Sequence, residues 1–205
     1  LQRDARQLLG GDSVLASDTP TPAAFIERAK ALGLQGTVNY NFPTMARADD
    51  SQGGASKLVA LKAVGEGYPL RGKLQTSTQA GDPGQATQGI PARGEVWIDG
   101  PLLESLGLKL GDKLLLGDSA LRIGRIIVLE PDRGAGFMSF APRVMLNQAD
   151  VPATGLVQPA SRVRYRFAVA GEERGVKAFN DWTDEALKKG ELRGARLESF
   201  ESGRP

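Results

Sequence analysis

Apolar and polar positions follow two different grammars along the chain. Residues 12–42 read strand, helix, strand. Residues 13–16 form a short apolar strand. The helix begins at Thr21-Pro22-Ala23, with Thr as cap and Pro in the first turn, and Gly33 closes it. Phe25, Ala29 and Leu32 share the face of that helix that should pack on a sheet. Val38, Tyr40 and Phe42 alternate with Asn39 and Asn41, which predicts a half-buried strand. Residues 57–64, reached through Gly53 and Gly54, predict a further strand that is apolar on both faces.

The same grammar returns near the end of the chain. Val163, Tyr165, Phe167 and Val169 point one way, and Arg162, Arg164 and Arg166 the other. A helix over about residues 172–189 follows, acidic at its start, basic at its end and closed by Gly190. Its packing face is Val176, Phe179, Thr183 and Ala186. Residues 196–200 predict a closing strand. Two βαβ-like halves therefore stand at opposite ends of an α+β chain.

Between them the strands shorten and turns multiply. Residues 75–94 are polar apart from Ile90, a long stretch when ordinary connections run about 4 to 6 residues. Residues 95–98 predict a strand, Asp99-Gly100-Pro101 a turn, and Leu102, Leu103 and Leu106 a short helix. Strands over residues 113–116 and 120–129 are separated by Asp118-Ser119. Short, closely spaced strands of this kind predict a small barrel or sandwich inserted between the halves.

Composition removes much catalytic chemistry. The 205 residues contain neither histidine nor cysteine. No Ser-His-Asp or Cys-His arrangement can form, a structural zinc lacks its usual ligands, and disulfides are impossible. The net charge of +2 comes from 26 basic and 24 acidic residues without a basic tract, so nucleic acid is not expected as a partner. The longest aliphatic run is residues 126–129, far short of the roughly 18 apolar residues of a membrane span. Leu1, Ala5, Leu8 and Leu9 fall on one helical face, as if a first helix continues an upstream segment.

The remaining candidates are weighed against ordinary surface roles. The neighbouring acids Asp49-Asp50, Glu172-Glu173 and Asp184-Glu185 point apart and read as solvated charges, although a secreted hydrolase using two distant carboxylates stays open. No Ser-x-x-Lys spacing occurs, and the glycines at 81–84 and 134–136 lack the spacing of a phosphate loop. The stripe of Arg162, Arg164 and Arg166 reads as the wet face of a strand, with a lipid- or ligand-binding module as the alternative. Residues 130–143 join a charged turn to Phe137, Met138 and Phe140. Arg133, Phe137, Met138, Phe140 and Arg143 are the candidates for an adaptable contact with a partner or lipid-like ligand. Equally, Phe137 and Phe140 are core residues at a strand entrance.

Several runs carry a resemblance. Gly94-Glu95-Val96-Trp97-Ile98-Asp99 and Leu106-Gly107-Leu108-Lys109-Leu110-Gly111-Asp112-Lys113-Leu114 resemble the MacB-like periplasmic core domain of FtsX-family ABC transporter permeases. Glu130-Pro131-Asp132-Arg133-Gly134, Phe140-Ala141-Pro142-Arg143-Val144 and Ala153-Thr154-Gly155-Leu156-Val157-Gln158-Pro159 are similar to the YbbP-type members. The resemblance implies a porter-like subdomain (1–72 plus 157–205) with an inserted β-rich, sabre-like subdomain (73–156). It implies a non-enzymatic periplasmic domain of a bacterial inner-membrane protein, transmitting ATP-driven motion across the membrane in mechanotransmission export. It implies no cofactor in this domain, with ATP bound by a separate cytoplasmic ABC ATPase subunit reached through membrane helices. A second permease copy and a periplasmic esterase or lysophospholipase are the further implied partners.

Overall fold

The computed structural model describes residues 2–134 and 139–199. Helix α1 (Gln2–Leu9) leads through Gly10 into strand β1 (Ser13–Ser17). Helix α2 (Ala23–Ala31) follows, then the long strand β2 (Gln35–Arg47) and β3 (Ser56–Val64). Thr21 does not cap α2: Pro22 takes the cap position in extended conformation without a side-chain bond. Gly33 ends the helix at φ +76°, where a side chain would be strained.

The short strands follow as β4 (Gln75–Ser77), β5 (Gln85–Ala86) and β6 (Glu95–Asp99), then helix α3 (Gly100–Leu106). Strands β7 (Lys113–Leu116), β8 (Ser119–Leu129) and β9 (Arg143–Asn147) precede the one-turn helix α4 (Val151–Thr154). The chain closes with β10 (Arg164–Ala170), α5 (Glu173–Lys188) and β11 (Ala195–Ser199).

At one end the strand order is β11-β1-β10-β2, with every neighbouring pair antiparallel. Each βαβ unit is therefore split by a strand of the other, as in the ferredoxin-like arrangement. Helices α2 and α5 cover one face, where Leu15, Phe25, Ala29, Phe167, Val169 and Phe179 form an apolar cluster. Phe179, Thr183 and Ala186 are buried as their spacing predicts, and Asn180 joins them by accepting a 2.6 Å hydrogen bond from the Ser13 hydroxyl.

The rest of the sheet closes on itself. β2 pairs with β3, β3 with β9, β9 with β6, β6 with β8, β8 with β7, and β7 returns to β2. The inserted β module is thus a barrel, and two of its staves, β2 and β3, come from before the insertion. Its interior holds Phe42, Val59, Leu61, Val96, Ile98, Leu114, Ile123, Val144 and Leu146, with α3 contributing Leu102 and Leu106. Alternation makes this possible, because odd residues of β3 point inward while Ala60, Lys62 and Val64 point outward. Outside, Val64, Tyr68, Leu74, Trp97, Ile127 and Met145 form a smaller cluster.

The two cores are joined along β2 and β10, where Val163 and Tyr165 serve the barrel while Phe167 and Val169 serve the helices. Tyr40 and Tyr165 are register partners there, their ring centroids 5.4 Å apart. Among the described residues no helix is long and apolar enough to cross a membrane.

Candidate functional site

Lys62 lies in the middle of an apolar strand and points out of the barrel, yet it is only 2% exposed. Its cover is the turn that follows β8. The ammonium donates to Glu130 Oε2 at 2.7 Å, Asp132 Oδ2 at 2.8 Å and the Tyr68 hydroxyl at 2.9 Å, which uses all three of its protons. Tyr68 in turn donates to Asp132 Oδ1 at 2.7 Å. Arg143, the first residue of β9, donates from Nε to Glu130 Oε1 at 2.9 Å and from a terminal nitrogen to the Ala60 carbonyl. Two cations and two carboxylates therefore balance inside the protein, the condition under which buried charge is tolerated.

The electrostatics follow from that packing. Burial pushes the Glu130 carboxyl up, but the adjacent Lys62 and Arg143 charges and their hydrogen bonds outweigh it and hold the group at about 2. Burial, with the Asp132 and Glu130 charges beside it, raises the Tyr68 phenol well above its ordinary value. Glu130 and Asp132 are the acid pair that sequence inspection passed over. With both bound to Lys62 and closed off from solvent, they cannot act on a substrate as a hydrolase pair would.

The end of α1 sits on this cluster. Gly10, at φ +80°, approaches so closely that a Cβ there would lie 3.1 Å from Asp132 Cβ. At Gly72 a Cβ would lie 2.9 Å from both the Gln7 carbonyl oxygen and Pro131 Cβ. Arg166 donates to the Leu9 carbonyl at 3.4 Å and to Glu198 at 2.7 Å, so one member of the predicted arginine stripe holds the helix terminus. Arg164 pairs with Asp18. Asp12 fixes the chain beyond α1, accepting from Arg71 at 3.0 Å and from the Gly171 amide at 3.0 Å.

The loop between residues 133 and 143 is closed at its base by Asp99. This carboxylate accepts from both terminal nitrogens of Arg133, at 3.2 and 2.8 Å, and from the Arg143 amide at 2.7 Å. Arg133 also donates to the carbonyls of Ser139 and Ala141. The hydrogen bond to Asp99 raises the Arg133 guanidinium above its ordinary value.

The five contact candidates thus separate. Phe140 is 85% exposed, which excludes a core role for it at the strand entrance. Arg133 is half-buried and braces the loop. Arg143 is a correction: at 3% exposure, with its guanidinium held by Glu130 and Ala60, it supports the loop from beneath and offers no surface. Phe137 and Met138 lie outside the described residues. The structure adds two side chains that strand alternation alone did not reveal. Met45 and Leu58, 51% and 43% exposed, are register partners on the outer face. Leu58 lies two residues before Ala60, whose amide donates to the Pro142 carbonyl at the end of this loop.

No protein-family model matches the chain. A curated relative does: the chain is 37% identical over 188 residues to an uncharacterized ABC transporter permease, YbbP of Escherichia coli (strain K12). The solved extracellular domain of the noncanonic ABC-type transporter YknZ from Gram-positive bacteria has the same fold, with TM-score 0.55 at 10% identity over 91% of this chain and all of that one. So does the periplasmic region of MacB from Actinobacillus actinomycetemcomitans, with TM-score 0.55 at 12% identity over 96% of this chain and 92% of that one. The chain thus has the fold of the MacB and YknZ domains and is similar, over nearly its whole length, to one segment of YbbP.

The aligned segment is 92% of this chain but 22% of YbbP, so the chain spans about a fifth of its relative's length. Among the described residues, no group of three or more acids could hold a metal ion.

Proposed function

We propose that this chain is the periplasmic part of an ABC transporter permease and that it passes motion from the membrane side to a partner, without chemistry or a cofactor of its own. The observation that supports this reading most is the seating of the α1 terminus on Pro131, Asp132 and Gly72. A helix entering from a membrane segment would push directly on the turn that carries the 133–143 loop. ATP is hydrolysed by a separate cytoplasmic ATPase subunit, and a second permease copy completes the complex. Phe140, together with the exposed Met45 and Leu58, contacts a periplasmic protein such as an esterase or lysophospholipase, or a hydrophobic cargo. An aromatic side chain this exposed on a braced loop fits that role, because little freedom is lost when it is buried.

The absence of cysteine makes the location testable. In a full-length permease otherwise free of cysteine, Glu173→Cys, at an exposed position of α5, should react with a membrane-impermeant maleimide once the outer membrane is permeabilised. Reaction only after the inner membrane is broken would overturn the periplasmic assignment.

A further inference from the structure

We propose that the last turn of α1 and the two described ends of the 133–143 loop, residues 133–134 and 139–143, form one conformational unit, coupled through the buried Lys62 cluster. The connection is continuous and short at every step. Gly10 lies against Asp132; Asp132 binds Lys62 at 2.8 Å; Lys62 binds Glu130 at 2.7 Å. Glu130 binds Arg143 at 2.9 Å, and the Arg143 amide shares Asp99 with Arg133, which grips the carbonyls of Ser139 and Ala141.

Three features make this a coupling element rather than a row of contacts. Lys62 has no spare proton, so Asp132 cannot shift without leaving a buried charge under-bonded, which Lys62 can relieve only by moving with it. Gly10 has no side chain to flex, so displacement of the α1 terminus meets Asp132 directly. Asp99 is shared by both ends of the loop, so moving Arg143 disturbs the Arg133 clamp. The coupling does not depend on the transport reading, since it is a property of the 205-residue chain.

Amide hydrogen exchange of that chain tests it. Gly10→Ala adds a Cβ against Asp132 at a left-handed position, whereas Gly33→Ala introduces the same backbone strain with nothing within 4 Å. In Gly10→Ala, the Arg143 and Ala60 amides, which donate to Asp99 and Pro142, should exchange about tenfold faster than in Gly33→Ala, within the usual range of site-to-site coupling. The Lys189 amide at the far end of α5, bonded to Glu185, should exchange equally in both.

Linkage requires the reverse effect. Asp99→Ala should accelerate exchange of the Gly10 amide, bonded to Arg6, and of the Arg71 amide, bonded to Gly10, by a similar factor. The reverse arm also serves if Gly10→Ala does not fold. Loop amides that exchange alike in both glycine variants, α1-side amides unmoved by Asp99→Ala, or uniform acceleration that includes α5 would each overturn the coupling.

Discussion

Lys62 and Glu130 are 68 positions apart in sequence and 2.7 Å apart in space, both buried. Removing the cation leaves Asp132 without its buried partner charge and takes one of two close cations from Glu130. Lys62→Met should therefore cost about 3–5 kcal/mol of folding stability, the range for breaking a buried ion pair from one side. The check is the denaturant midpoint, read with the m-value to confirm that the transition stays two-state.

The cluster also predicts acid sensitivity. Glu130 sits at about 2 in the folded chain against an ordinary 4.5, a depressed carboxylate. Its stabilising contribution is complete above about pH 4.5 and is lost as pH falls toward 2. The shift corresponds to something on the order of 3 kcal/mol. Urea titrations between pH 6 and pH 2 should show that fall, and Glu130→Gln should be less stable at pH 6 and show a shallower pH dependence.

Tyr68 both accepts from Lys62 and donates to Asp132, so its hydroxyl completes the coordination of each. Tyr68→Phe should cost about 1–3 kcal/mol, the penalty for leaving buried polar groups short of a partner. Because the phenol is raised by burial and neighbouring charge, wild-type stability should also fall above about pH 10, where the unfolded chain ionises and the folded one resists. Thermal melts at pH 7 and pH 10.5 distinguish the two chains: the alkaline loss should be smaller in Tyr68→Phe.

On the outer face the expectation is the opposite. Phe140→Ser and Leu58→Ser remove exposed apolar surface and should leave folding stability within about 0.5 kcal/mol. A photo-reactive residue at position 140 of the intact permease should form cross-links to a periplasmic partner, and Leu58→Ser should lower their yield. Cross-links that form only from the β10 and β11 side would contradict the contact surface.

Much of this fold was readable in the sequence where it depends on local pattern. The alternation of Val163 to Val169, the face of α5 and the strand at Lys113–Leu116 follow from periodicity and turn residues alone. Barrel closure was not readable, since the pairing of β7 with β2 joins Leu116, within the insertion, to Ala46, in a strand that precedes it. The Thr21 cap failed because Pro22 took the capping position.

The cluster left a trace: a lysine inside the apolar run 57–64 is a residue that needs a partner. Which partner it finds depends on strand register and on a turn placed by β8, neither of which local patterning determines. Arg143 looked like a surface charge for the same reason. Its parity in β9 puts it on the outer face, and only the covering turn makes that face an interior.

The proposed route for motion runs from α1 through Lys62 and its acids to the 133–143 loop. The most direct test is hydrogen exchange over residues 139–143 in the intact permease assembled with its ATPase, with and without ATP. Exchange there should change with nucleotide in wild type, and the change should disappear in Asp132→Asn. A loop that exchanges identically in both nucleotide states, or a change that persists in the variant, would contradict that route.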